Sequence, residues 1–105
     1  MKIPKEMYSL LGPLPVTIEE EIPHENPAVV TMGNFSPMRR VIEASRAAPV
    51  SMFATVMHEW MHSGLYDTGV SNMLTRDQEE SVCDALSLLL TGAVQQGYMT
   101  LHVPR

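Results

Sequence analysis

The sequence predicts an α+β domain: a small antiparallel β-sheet packed on two main helices. Three observations carry this expectation. Short alternating or β-branched segments occupy the first 45 residues, broken by proline and glycine. From about residue 50 the apolar spacing turns helical, with Phe53, Val56, Met57 and Trp60 on one stripe. Thr75-Arg76-Asp77-Gln78 then matches a capping box, a hydroxyl N-cap with Gln three residues on, ahead of a second helical stretch. With 105 residues and 45% hydrophobic content, the chain fits one domain spanning 1–105.

In order, Pro4, Gly12, Pro13 and Pro15 leave room for only a short helical turn over residues 5–11. Residues 16–22 alternate at Val16 and Ile18 and read as a first strand. Residues 23–27 form a Pro-bounded loop, and residues 28–32 and 40–42 read as two strands of a hairpin around Gly33-Asn34 and Ser36-Pro37. The first helix is expected from about Val50 to His62, with Pro49 at its start and Gly64 as its stop. Residues 65–74 are a connector. The second helix should run from Arg76 to about Gln96, stopped by Gly97, with Val82, Ala85, Leu86, Leu89 and Ala93 as its apolar face. A short terminal strand over residues 98–103 completes the expectation.

Composition narrows the class of partner. A net charge of −5 and no basic run beyond Arg39-Arg40 argue against nucleic acid and anionic membranes, which reward basic patches. The N-terminus lacks the apolar core of a signal peptide, and the longest apolar run, Leu88 to Leu90, is too short to cross a bilayer. One cysteine, Cys83, gives no internal disulfide and reads as a small buried residue between the helices. A cytoplasmic location is the expectation.

Chemistry concentrates in His58-Glu59-Trp60-Met61-His62, an H-E-x-x-H pattern. On a helix, residues four apart project from one face, so both imidazoles can reach one tetrahedral zinc ion. Glu59 is placed to reach a water there as general base. A third protein ligand must come from elsewhere. Position 68, where an extended H-E-x-x-H-x-x-G-x-x-H pattern places its third histidine, is Thr68, and Gly64 falls one place early. The start of the second helix offers Glu79 and Glu80. Glu80 shares a face with Asp84 four residues on, so one can bind metal while the other accepts an imidazole N–H. Glu80 is therefore the expected ligand, with Glu79 in reserve and Asp67 a weaker alternative.

His58-Glu59-x-x-His62 with Glu80-x-x-x-Asp84 resembles the gluzincin metallopeptidases, the thermolysin-like zincins. It is most similar to their smallest members, minimal zincin-like domains that include phage-encoded proteins. The resemblance spans roughly residues 16–96, though its specific part is 58–62 and 80–84. It implies that His58, His62 and Glu80 bind Zn2+, that Glu59 is the catalytic base in peptide-bond hydrolysis, and that Asp84 supports His58. The substrate would be a peptide or protein, paired to an exposed sheet edge. Larger gluzincins draw an oxyanion-stabilising Tyr or His from a second subdomain. Here that donor would have to be Tyr66, Tyr98, His102 or Arg76.

Two other readings stand beside the peptidase. One is a zincin-fold module that binds metal and serves regulation or phage assembly without turnover. The other is a helical packing domain in which His58 and His62 face solvent and Glu79-Glu80 merely favour the first turn of a helix. Phe53 and Trp60 read as core anchors, the nine methionines as core filler, and His24 and His102 as solvent-facing.

Overall fold

The computed structural model describes residues 2–22, 31–46 and 51–100. Strands β1 (Glu6–Ser9), β2 (Gly12–Glu19), β3 (Gly33–Ser36) and β4 (Val41–Ser45) precede helix α1 (Met52–Asp67), a 3-10 turn (Val70–Met73) and helix α2 (Arg76–Gln95). This is the expected α+β arrangement, but the sheet is mixed and not wholly antiparallel. Its order is β1-β2-β4-β3. β1/β2 and β3/β4 are antiparallel hairpins, and β2 joins β4 in parallel, with Val16 opposite Ile42 and Ile18 opposite Ala44.

Residues 6–9 form a strand where a helical turn was expected. Pro13 and Pro15 do not prevent it, because this half of β2 pairs only with β1, while β4 pairs with residues 16–19. The missing N–H groups therefore fall on an open edge. Both prolines are exposed and alternate with the fully buried Leu14. The second hairpin is present with its elements displaced. Gly33 to Ser36 is strand, and Pro37 to Arg40 forms the turn, with Arg40 at a positive φ of 54°.

The core lies between sheet and α1: Met7, Leu14, Ile42 and Ala44 from the sheet meet Phe53, Val56 and Met57 from the helix. Trp60 packs at its rim and donates its indole N–H to the Tyr8 carbonyl at 2.9 Å. The helix passes through Gly64 and ends at Asp67, so the motif sits mid-helix. Thr68 caps it, its hydroxyl bonding Gly64 O, and Gly69 adopts the left-handed conformation (φ 81°). Pro49, expected at the helix start, lies outside the described residues, as do 23–30 and 101–105. Residues 98–100 form no strand.

The capping box of α2 forms as predicted: Gln78 N–H donates to Thr75 Oγ1, and Thr75 N–H to Gln78 Oε1. The buried side of α2 differs from expectation. Cys83, Ser87 and Thr91 face inward, helped by Leu90 and Val94, whereas Val82, Leu86 and Leu89 are exposed. Small side chains let α2 approach α1 closely, which brings its acidic first turns over the histidines. Among the described residues no helix is long and apolar enough to cross a membrane.

Candidate metal centre

The site forms where the middle of α1 meets the first turns of α2. His58 and His62 stand one turn apart, rings edge to face with centroids 4.8 Å apart. Their Nε2 atoms converge to 3.1 Å. Glu80 brackets both, Oε2 lying 3.2 Å from His58 Nε2 and Oε1 2.9 Å from His62 Nε2. Each ring is anchored from behind. His58 Nδ1 is 2.9 Å from Asp84 Oδ1, and His62 Nδ1 is 2.5 Å from Glu79 Oε2. A neutral ring that donates its Nδ1–H to the carboxylate behind it presents its Nε2 inward as a lone pair.

In that tautomer both Nε2 atoms and the Glu80 carboxylate are acceptors converging on one point, an arrangement that suits a cation. The separations of 2.9–3.2 Å also suit one. Ligands about 2.0–2.1 Å from a tetrahedral zinc lie roughly 3.3 Å apart. The donor set of two neutral imidazoles and a carboxylate is one a zinc ion accepts. The His58–Glu59–His62 group itself brings ligand atoms within 4.8 Å of one another and could hold a metal. Glu80 lies closer to both rings than Glu59, whose Oε2 is 4.0 Å from His58 Nε2.

Glu59 occupies a different environment. It is 8% exposed, against the edge strand β3. Burial pushes its carboxyl up to about 7; Glu80 adds to the rise, while His62 and a hydrogen bond from the Phe35 backbone N–H oppose it. A carboxyl so placed exchanges protons near neutrality, as a general base requires. Gly33 makes the approach possible. A Cβ there would fall 2.5 Å from Thr55 Cγ2 and 3.1 Å from Glu59 Cγ.

Glu79 is the residue whose part the sequence obscured. Read as a reserve ligand, it instead supports His62, while Ser71 donates to it. Burial opposes its ionisation, but the hydrogen bonds from Ser71 and His62 prevail and hold its pKa below the ordinary value. Its signal was its place beside Glu80, one residue round the helix, on the side away from Asp84. Asp67, the weaker alternative ligand, is elsewhere: its carboxylate accepts two hydrogen bonds from Arg40, at 2.8 and 2.9 Å. Burial pushes the Cys83 thiol up to about 12, with further help from Glu79, Glu80, Glu59 and Asp84. It stays a protonated thiol, unsuited to ligation.

The centre opens into a cleft of about 830 Å³ between β3, α1 and α2. Of the four proposed oxyanion donors, Tyr66 and Arg76 line this cleft, Tyr98 does not, and His102 lies outside the described residues. Compared with known proteins, the chain matches no family model, no curated protein and no solved structure.

Proposed function

We propose that this protein is a zinc-dependent peptidase of gluzincin kind. The observation that carries the reading is the convergence of His58 Nε2, His62 Nε2 and the Glu80 carboxylate on one point, with both imidazoles fixed from behind. His58 Nε2, His62 Nε2 and the Glu80 carboxylate would hold the zinc ion. The ion supplies Lewis acidity that polarises a carbonyl and makes water nucleophilic near neutral pH. Asp84 and Glu79 hold the Nδ1 protons of His58 and His62 and keep the ligand nitrogens directed inward. Glu59 takes a proton from the attacking water onto its carboxylate and delivers it to the leaving amine. Its burial beneath β3 keeps competing water from that carboxylate. β3 is an edge strand of the sheet, so an extended peptide can add to it by backbone pairing and lie across the cleft.

A metal-holding module without turnover would share the ligands but have no use for Glu59 as a base. The two part in one experiment. Purified protein is loaded with zinc, assayed by elemental analysis, and challenged with a mixed peptide library beside Glu59→Gln. The peptidase reading expects one zinc per chain in both proteins and a fall in cleavage of about 10²–10⁴-fold in the variant. Zinc bound equally, with neither protein cleaving anything, establishes the binding module. No zinc in the wild type removes both readings.

A further inference from the structure

Arg76, Glu80, Asp84 and Leu88 follow one another at four-residue steps, so they form a single row along the cleft-facing side of α2. The row is chemically graded. Its centre holds the acids that face the histidines. One end carries the Arg76 guanidinium and the other Leu88, and both line the cleft. The helices run antiparallel here, since His58 meets Asp84 and His62 meets Glu79. The cleft therefore has a cationic end and an apolar end, with the metal centre between them.

Among the described arginines Arg76 stands apart. Arg39, Arg40 and Arg46 are engaged by Glu43, Asp67 and Glu20. The Arg76 guanidinium has no ion pair or hydrogen bond with any described residue, although it stands on a strongly acidic helix start. Glu79 and Glu80, its neighbours at three and four residues, are committed to the histidines. The first turn of α2 has no special need of it either, because the capping box already satisfies the Thr75 and Gln78 N–H groups. Leu88 is likewise 64% exposed, a large apolar side chain lining the cleft and left uncovered by the described residues.

We propose that this row selects the substrate: a peptide with an acidic side chain on one side of the scissile bond and a large apolar side chain on the other. This rests on reading the cleft as a peptide-cleaving site. Along the helix axis Arg76 lies about 6 Å to one side of Glu80, and Leu88 about 12 Å to the other. A peptide running along this row advances about 3.3 Å per residue, which puts the acidic side chain about two positions from the cleaved bond and the apolar one about three to four. The acidic lining of the rest of the cleft strengthens the discrimination. Away from the metal centre, the counter-charge a substrate carboxylate meets along this row is Arg76, while the carboxylates of Glu79 and Asp84 disfavour it nearer the histidines.

The test uses zinc-loaded protein and peptides that differ only at the acidic position (Glu, Gln or Lys), with leucine or serine at the apolar one, in both chain orders. Wild type should favour Glu over Lys by about tenfold or more, Arg76→Ala should erase that ratio, and Arg76→Glu should reverse it. Leu88→Ser should erase the preference for leucine. Unchanged thermal stability and zinc content in each variant show that the fold and centre are intact. Cleavage with no preference at either position overturns the proposal and leaves the peptidase reading standing. If zinc-loaded wild type cleaves nothing, the peptidase reading falls, and binding of the same labelled peptides to Glu59→Gln decides the selectivity. An Arg76-dependent Glu preference in binding upholds it, and equal or no binding ends it.

Discussion

Replacing Gly33 with alanine should strain the junction between the edge strand and the motif helix, and the size of the effect can be worked from the contacts. The added methyl would lie 2.5 Å from Thr55 Cγ2, 3.1 Å from Glu59 Cγ and 3.2 Å from Glu43 O. Carbon atoms settle at about 3.5–4.0 Å, so the first contact is about 1 Å too close. Thr55 cannot easily withdraw. It is buried, and its hydroxyl donates to Ser51 O at 3.2 Å. Overpacking of this kind costs about 1–3 kcal/mol, or roughly 5–20 °C in Tm for a domain of this size. Thr55→Ser removes the clashing methyl and keeps the hydroxyl. The double variant Gly33→Ala/Thr55→Ser should therefore recover at least half of the loss beyond additivity, measured by urea unfolding of all four proteins. A Gly33→Ala protein as stable as wild type, or a double variant whose losses simply add, would refute the claim that β3 is seated on Thr55.

The Asp67–Arg40 pair yields a prediction with a pH signature. Hydrogen bonding to Arg40 outweighs burial and holds the Asp67 carboxyl below its ordinary value, so its contribution is complete above about pH 4 and lost as pH falls through the folded value. Asp67→Asn should cost about 2–3 kcal/mol at pH 7, with the gap to wild type narrowing on acidification, seen as converging Tm values. Thr91 Oγ1 is buried without a hydrogen-bond partner among the described residues, so Thr91→Val should raise stability by about 1 kcal/mol in denaturant titrations. Zinc at about a hundred times its Kd should stabilise the wild type by about 2.7 kcal/mol, and a chelator should reverse the gain in a thermal scan. Asp84→Asn and Glu79→Gln should each weaken zinc binding about 10–100-fold in competition titrations, while Glu80→Ala should weaken it further.

The sequence made the helices legible because their signals are local. Phe53, Val56 and Met57 share a stripe that reaches the core, and Thr75 and Gln78 complete a box within four residues. Helical spacing likewise put His58 and His62 on one face of α1 and Glu80 and Asp84 on one face of α2, and the structure brings those two faces together. Facts that depend on distant partners were hidden. Pro13 and Pro15 argued against a strand, because nothing local reveals that β2 is paired on one side there. The inward face of α2 was misplaced because Cys83, Ser87 and Thr91 are less apolar than the leucines that stay exposed. Close helix contact around the acidic turns favours small side chains over hydrophobic ones. Glu80 could be preferred to Glu79 from its i+4 partner Asp84, but the part Glu79 plays was hidden for a similar reason: only the position of α1 gives it to His62 Nδ1 and Glu80 to both Nε2 atoms.

The parallel seam between β2 and β4 has a bearing on how the cleft comes into being. Each hairpin closes over a short stretch of chain, but Val16 meets Ile42 only by bringing distant segments together. Loop closure makes such a contact slower to form than either hairpin. β3, which walls the cleft and reaches Glu59 through the Phe35 N–H, pairs among the named strands with β4, and Thr31 just before it bridges to Ile22 beyond β2. The paired histidines need only one helix to stand side by side. The wall that would receive a peptide waits on a long-range event, so the ability to gather a cation can precede the ability to engage a chain.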